Sequence, residues 1–260
     1  MANVPRNSSL LILSVMFVVT LTLSASAQVQ LTKTSTDPFT NSDSQHATEV
    51  EPDTFSFGNT IVSAFQQGRF NTGGGCSDIG WATSLDGGKT WQHGSLPGIT
   101  TIEGSGPYER VSDAAVAYDA AHSVWMIGSL PLSEIGKPLP PMLINRSTDG
   151  ITWDKPVTVG SRTFPKPDKT WVACDNNVGS PFYGHCYAEF DDNGSGDLIY
   201  MSTSNDGGLT WSAPVQPVGD PVGLGGQPLI KPGGKVIVPS PDAFLSSFIA
   251  FGSSDGGAHW

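Results

Sequence analysis

Residues 84–91, SLDGGKTW, are the strongest indication of the fold, because the same pattern returns along the chain. It recurs at 204–211 as SNDGGLTW and at 253–260 as SSDGGAHW. A copy shorter by one residue, STDGITW, occupies 147–153. Successive copies lie about 50 to 60 residues apart, which is the length of a four-stranded β unit and not of a helical repeat.

The composition of each copy, called a box below, is that of a tight turn. The Asp carboxylate can accept backbone N–H groups of the hairpin, the following Gly tolerates a positive φ, and the Ser or Thr hydroxyl can join the two flanks. The Trp can then pack beside its neighbours. We therefore expect a structural and not a catalytic role for the box carboxylates, which are Asp86, Asp149, Asp206 and Asp255.

Short β-rich runs separated by turns fill the chain between the boxes. In the second unit they cover 112–118, 123–129, 142–147 and a strand that begins at Thr152. The third unit has 170–174, 184–190, 197–204 and a strand from Leu209, and the fourth has 227–231, 235–239 and 246–253. The pattern predicts an all-β protein of four-stranded antiparallel blades, in which each box joins the third strand to the fourth.

The composition excludes several classes of protein. With 31 Gly, 20 Pro and only 14% charged side chains, the chain does not have the composition of a coiled coil. Its 38% of apolar residues favour a folded core over general disorder. The formal net charge is −11 and the few arginines are scattered, so the chain lacks the basic surface that a nucleic-acid partner requires.

The N-terminus has the pattern of a secretory signal peptide. An apolar stretch at 10–23 is too short to span a bilayer comfortably, and it ends in the small residues of 25–27, ASA. We expect residues 1–27 to be removed and the mature chain to be secreted or periplasmic, without further membrane contact. An uncleaved anchor is the alternative. Residues 28–46 would form an N-terminal arm in front of a repeat domain at 47–260.

Export permits disulfide bonds, and Cys174 and Cys186 flank a segment between two strand-like runs. We expect a bridge between them, which leaves Cys76 as a packed thiol. Residues 191–197, DDNGSGD, place oxygen ligands at alternate positions as a calcium loop does, but Ser202 stands where the closing Glu would be. An Asx-rich turn is the competing interpretation, and no other cofactor is expected.

The four boxes resemble the Asp-box (BNR) repeats of the sialidase, or neuraminidase, superfamily of β-propellers, and the resemblance covers residues 47–260. It implies blades at about 47–95, 110–156, 169–214 and 226–260. Sialidase-like propellers usually carry six blades, so four boxes suggest an incomplete propeller whose sequence continues beyond Trp260. A closed ring of four blades, with 28–35 as the missing outer strand, is the alternative.

Residues 60–69, TIVSAFQQGR, followed by Asp78, are similar to the first-blade region of sialidases, where a loop Asp acts as general acid/base. The resemblance implies that Arg69 contacts the sugar acid and that Asp78 protonates the glycosidic oxygen. For that role, burial has to raise the pKa of Asp78. The competing interpretation is that Asp78 caps a Gly-rich loop and that Arg69 pairs with a carboxylate.

Strand direction predicts which face of such a fold binds a ligand. Strands alternate in direction, so the loops from second to third strands and from blade to blade lie on the face opposite the boxes. Residues at the start of a first strand should lie closest to the central axis, where propellers bind ligands. This places Arg110, Asp113, Asp168 and Lys169 near the axis, and we take Arg110 and Asp113 as further candidates for substrate binding.

The chain also departs from the sialidase pattern. Sialidases carry an Arg about one strand before this region, in a triad that clamps the substrate carboxylate. Here residues 48–53 read TEVEPD, and no Arg follows Arg162. The Tyr nucleophile of sialidases and its Glu partner also belong to later blades. The arginine triad and the nucleophile are therefore missing from this sequence.

Three hypotheses on function remain open. The first is a secreted sialidase-like glycoside hydrolase that acts on glycans. The second is a non-catalytic exported propeller that binds glycan or protein, with acidic residues of 48–53 in place of the arginine clamp. The third is a hydrolase of neutral glycans, which needs two carboxylates across a cleft, and Asp78 with Asp113 or Asp168 could supply them.

Overall fold

The computed structural model describes residues 31–133 and 137–260, and contacts group Thr34–Trp260 into one compact unit. In the described residues, regular structure consists of fourteen β-strands and one short 3-10 helix, Asn193–Ser195. The prediction of an all-β fold is confirmed. None of the helical structure in these ranges could cross a membrane. The expected signal peptide lies outside the described residues.

The strands follow one another in four antiparallel groups, called meanders I to IV. Meander I contains β1 (Ser44–Phe57), β2 (Thr60–Phe70), β3 (Cys76–Ser84) and β4 (Gln92–Ser95). Meander II contains β5 (Arg110–Asp119), β6 (Val124–Leu132), β7 (Leu143–Ser147) and β8 (Val157–Thr158). Meander III contains β9 (Pro167–Cys174), β10 (Cys186–Asp192) and β11 (Leu198–Ser204), and meander IV contains β12 (Leu229–Ile230), β13 (Val236–Pro241) and β14 (Phe248–Ser253).

The fourth strands are shorter than the sequence predicts. The strand expected from Thr152 is reduced to β8, and the one expected from Leu209 to a single bridge between Met201 and Val215. Pro156 and Pro214 stand beside these pairings. Because proline lacks an N–H group, it interrupts the ladder of hydrogen bonds that would extend each outer strand.

The boxes close the turns after β3, β7, β11 and β14 with the same set of hydrogen bonds. In the first box, Ser84 Oγ donates to Asp86 Oδ1 at 2.8 Å, and Thr90 donates from its N–H and its hydroxyl to the same carboxylate at 2.9 and 2.7 Å. The hydroxyl of Thr90 is the main cause that holds the pKa of Asp86 well below its usual value. In the last box, the ring of His259 replaces the threonine hydroxyl at 2.7 Å from Asp255 Oδ2. These carboxylates are thus fully occupied in turn formation.

The core lies between neighbouring meanders. Side chains of meander I, such as Ile79 and Trp81, pack on Ile127 and Trp153 of the next unit. A second cluster joins meanders II and III, and a third joins meanders III and IV. The first strands β1, β5 and β9 are spatial neighbours in that order, and β12 contacts β9. The meanders therefore stack face to face and place their first strands side by side.

A disulfide fastens the first two strands of meander III. Cys174 of β9 and Cys186 of β10 are directly opposed in the strand register and are bonded to each other. Cys76 is a buried free thiol, and burial raises its pKa well above the usual value.

Candidate functional site

The first strands of meanders I to III and the segment just before β12 line a cavity of about 260 Å³, called the first-strand cavity below. Each meander contributes the same short segment to its wall. These segments are 51–53 of β1, 113–114 of β5, 169–171 of β9 and 225–227 just before β12. Titratable groups in the wall are Glu51, Asp53, Asp113 and Lys169.

Each wall segment begins with a residue in the left-handed backbone region. The φ angles are 52° for Glu51, 49° for Asp113, 46° for Lys169 and 72° for Gly225. The pairings of β1 with β2, β5 with β6 and β9 with β10 shift register at the same places. A non-glycine residue in this region costs about 1 to 3 kcal/mol, and such strain and such bulges concentrate at binding and catalytic sites.

Hydrogen bonds connect the carboxylates of β1 and β5. The amide of Gln66 donates to Glu51 Oε2 and, at 3.1 Å, to Ser112 Oγ. Ser112 in turn donates to Asp113 Oδ1 at 2.7 Å. This chain of polar contacts links the two carboxylates, which both line the cavity. Asp53 connects β1 to β5, because its Oδ2 accepts the N–H of Val116 at 2.6 Å.

Lys169 supplies positive charge to this acidic wall. Its Nζ lies 3.8 Å from Asp113 Oδ2 and 3.8 Å from Asp168 Oδ1. Attraction by Asp113 is the main cause that raises the pKa of Lys169, so the lysine is an ammonium at neutral pH. The wall therefore presents a carboxylate beside a cation, with hydroxyl and amide groups around them.

Asp78 has the raised pKa that its expected role as a proton donor needs, but its side chain lies outside the first-strand cavity. Burial raises its pKa well above the usual value, as a proton donor requires. Its carboxyl group on β3 is fully buried, accepts the N–H of Ile79 at 2.8 Å, and does not line the first-strand cavity.

The two candidate arginines also lie outside this cavity. Arg69 donates to Gln66 Oε1 at 3.0 Å and to the carbonyl of Gly75. Since Gln66 in turn donates to Glu51, the side chain of Gln66 lies between Arg69 and Glu51. Arg110 donates to the carbonyls of Thr72 and Gly74, with its guanidinium 3.8 Å from the ring centre of Phe70. It lines a second cavity, of about 460 Å³, between the β2–β3 loop and residues of meanders II and III. Of the candidate substrate-binding residues, the structure places Asp113 in the first-strand cavity.

The sequence 191–197 folds as a turn stabilised by its own side chains. Asp192 accepts the N–H of Gly194 and the hydroxyl of Ser195, and Asp197 accepts the amide of Asn193. In the described parts of the chain, no group of three or more His, Cys, Asp or Glu side chains is arranged to hold a metal ion.

Two groups lie behind the cavity, of which the sequence analysis missed Glu189 and placed Asp191 only in the turn 191–197. Glu189 and Asp191 on β10 are fully buried and contact residues 225 and 226 of the cavity wall. The available signal was a charged residue within the otherwise apolar run YAEF, residues 187–190. Charged residues are rarely buried in the absence of a partner or a function.

Comparison with known proteins shows the fold. No protein-family model and no curated protein matches the sequence. Among solved structures, the Hadza microbial sialidase Hz136 matches with a TM-score of 0.54 and 17% identity over 76% of this chain and 42% of its own. The leech intramolecular trans-sialidase, in complex with 2,7-anhydro-Neu5Ac, matches with a TM-score of 0.58 and 11% identity over 88% of this chain and 52% of its own.

An α-L-arabinanase from Penicillium chrysogenum, complexed with arabinobiose, matches with a TM-score of 0.55 and 12% identity over 84% of this chain and 60% of its own. The chain thus spans about half the length of these three proteins. Together with the stacked meanders, the matches show a β-propeller fold of the kind found in glycoside hydrolases.

Proposed function

We propose that this protein is a glycoside hydrolase whose first-strand cavity binds the end of a neutral glycan. The observation that carries the proposal is the convergence of Glu51 and Asp113 on one cavity, held together through Gln66 and Ser112. Glycoside hydrolysis commonly uses two carboxyl groups that flank the scissile bond. The meanders would be four blades of a propeller around this cavity, carried by an exported chain.

The charges of the cavity favour a neutral sugar over sialic acid. A sialic acid carboxylate calls for guanidinium groups, which bind carboxylates in a bidentate manner. Among the described residues, no arginine lines the cavity, and its single cation, Lys169, already faces Asp113 and Asp168. The acidic wall would repel a substrate carboxylate, whereas sugar hydroxyls can donate to it.

The proposed chemistry divides the work between the two carboxyl groups. Asp113, beside the ammonium of Lys169, is the ionised group that stabilises the positive charge of the oxocarbenium-like transition state. The other carboxyl group gives its proton to the leaving glycosidic oxygen. Water then adds to the anomeric carbon and returns a proton to that carboxylate. Glu51 is the better placed donor because it lines the cavity, whereas Asp78, which burial keeps protonated, lies outside the cavity.

A panel of 4-methylumbelliferyl glycosides tests the proposal. The α-L-arabinofuranoside, the β-D-galactoside and the β-D-xyloside represent neutral sugars, and the sialoside represents the acidic alternative. We expect release of the fluorophore from at least one neutral glycoside and none from the sialoside. Release from the sialoside alone would establish the sialidase function instead, and binding without hydrolysis would establish a glycan-binding propeller.

Two variants identify the proton donor in the same assay. Glu51→Gln is expected to slow hydrolysis about 10²-fold or more, because an amide cannot donate the required proton. If Asp78→Asn slows hydrolysis and Glu51→Gln does not, Asp78 is the donor. Asp154→Asn is the matched control, since its side chain is exposed and lies outside the first-strand cavity.

A further inference from the structure

Two carboxyl groups contact segment 225–227 of the first-strand cavity wall on the side that faces away from the cavity. Glu189 and Asp191 have no solvent exposure, and each uses one oxygen to accept a backbone N–H of the wall. Glu189 Oε1 accepts from Gly226 at 3.2 Å, and Asp191 Oδ1 accepts from Gly225 at 3.4 Å. The second oxygen of each group, Oε2 and Oδ2, is buried without a hydrogen-bond partner in the described residues.

The contact is direct because the wall has no side chains at these two positions. A Cβ atom added to Gly226 would lie 2.7 Å from Glu189 Oε1 and 2.8 Å from its Cδ. Glu189 and Asp191 are two residues apart on β10, so they extend from the same face of the strand. The face points to meander IV, whose segment 225–227 it supports.

Ionisation of both groups in this place would be costly. A buried charge needs a partner of opposite sign, and two carboxylates side by side repel each other. Within the described chain, neither group forms a salt bridge, because the nearby Lys169 pairs with Asp113 and Asp168. A protonated carboxyl group avoids this cost and still accepts the glycine N–H through its carbonyl oxygen.

We propose that Glu189 and Asp191 are protonated in the folded protein and act as positioning residues, a proton-dependent brace that fixes the segment 225–227 against meander III. When the brace loses a proton, a buried negative charge appears behind the cavity wall and the contact between meanders III and IV weakens. The effect on sugar binding rests on the proposed function. The effect on stability does not.

The titration of the brace follows from its surroundings. Burial, with a smaller contribution from Asp168, raises the pKa of Asp191 to about 8. Burial also raises the pKa of Glu189 well above its usual value, and the charge of Asp191 adds to the effect. Other charged groups that face the pair are Asp197, which raises the pKa of Asp191, and Lys169, which lowers it. Segment 225–227 is Gly-Gly-Gln and contributes no titratable group.

The directions of these two pKa shifts determine whether the unfolding free energy rises or falls with pH. A carboxyl group with a raised pKa binds more protons in the folded state than in the unfolded state between its two pKa values. The contribution of Asp191 to the unfolding free energy therefore falls as the pH rises from about 4 to about 8 and levels off above that, and the contribution of Glu189 falls in the same direction. The box carboxylates have lowered pKa values, so their contribution to the unfolding free energy changes at a lower pH than that of Glu189 and Asp191.

Thermal unfolding without any sugar tests the brace. The Tm of the wild type is expected to fall between pH 5.5 and pH 8.5 by about 5 °C more than the Tm of Asp191→Asn. Glu189→Gln should reduce the fall in the same direction, because an amide accepts the glycine N–H but does not ionise. Asp154→Asn, an exposed control, should follow the wild type. Equal falls in all four proteins would overturn the proposal.

A second measurement follows ionisation directly. In protein labelled with ¹³C at the aspartate carboxyl, the signal that is absent from Asp191→Asn is expected to titrate with a midpoint near pH 8. This assignment separates it from Asp78, whose pKa is also raised by burial. The brace is disproved if the Asp191 signal titrates below pH 6. Binding of the best neutral glycoside should weaken about 10-fold from pH 5.5 to pH 8.5 in the wild type and not in Asp191→Asn. If no sugar binds at any pH but the Tm difference is found, the proposed function fails and the brace stands.

Discussion

Asp113→Asn is expected to reduce hydrolysis of the neutral glycoside about 10²- to 10⁴-fold, the range associated with loss of a positioned catalytic carboxylate. The change removes the negative charge beside Lys169 and keeps the size of the side chain. Asparagine is also among the residues that best tolerate the left-handed backbone region, so the φ of 49° at this position is preserved. The loss should therefore reflect charge and not a collapsed bulge.

The slower hydrolysis by Asp113→Asn is measured as a decrease in kcat with the neutral glycoside of the panel. Asp154→Asn makes the same chemical change at an exposed site outside the cavity and should retain the wild-type rate. The Tm of Asp113→Asn should stay near that of the wild type, because Lys169 keeps its contact with Asp168. If Asp113→Asn and Asp154→Asn hydrolyse at equal rates, Asp113 has no part in the reaction.

The largest effect on stability is expected from Asp149→Ala in the second box. The carboxylate of Asp149 accepts the hydroxyl of Ser147 at 2.9 Å, the N–H groups of Ile151 and Thr152, and the hydroxyl of Thr152. Loss of these four bonds should lower the unfolding free energy by about 2 to 4 kcal/mol, since each contributes about 1 kcal/mol net.

Urea denaturation measures this loss, with Asp154→Ala as the control five residues further along the chain. The pH dependence gives an independent check. Hydrogen bonds, first that from the N–H of Thr152, lower the pKa of Asp149 to about 2. The stabilisation is therefore complete above the unfolded pKa and is lost as the pH falls toward 2. An Asp149→Ala protein as stable as the control would show that the box does not stabilise the turn.

The sequence predicts those parts of the fold that depend on local chemistry. The boxes specify their turns because Ser, Asp, Gly and Thr at fixed spacing satisfy the same backbone groups in each copy. Alternating β-rich runs predict the first three strands of meanders II to IV to within a few residues, and strand direction places Asp113 and Lys169 near the cavity. These inferences need only neighbours along the chain and the geometry of antiparallel strands.

The rest of the site depends on contacts between distant segments. Glu51 and Lys169 are not residue types that indicate a positive φ, so the repeated bulge cannot be predicted before the first strands are brought together. Asp78 and Arg69 follow a familiar spacing, but strand packing buries one and turns the other toward Gln66. The burial of Glu189 and Asp191 results from meander IV, more than 30 residues away in sequence.

The most direct test of the account is a crystal structure of the Asp113→Asn variant soaked with arabinobiose and, separately, with a neutral galactobiose. We expect electron density for a sugar ring in the first-strand cavity, within hydrogen-bond distance of Glu51, with the four box turns at equivalent positions around it. Sugar density at another surface only, or box turns that do not surround a common centre, would contradict it.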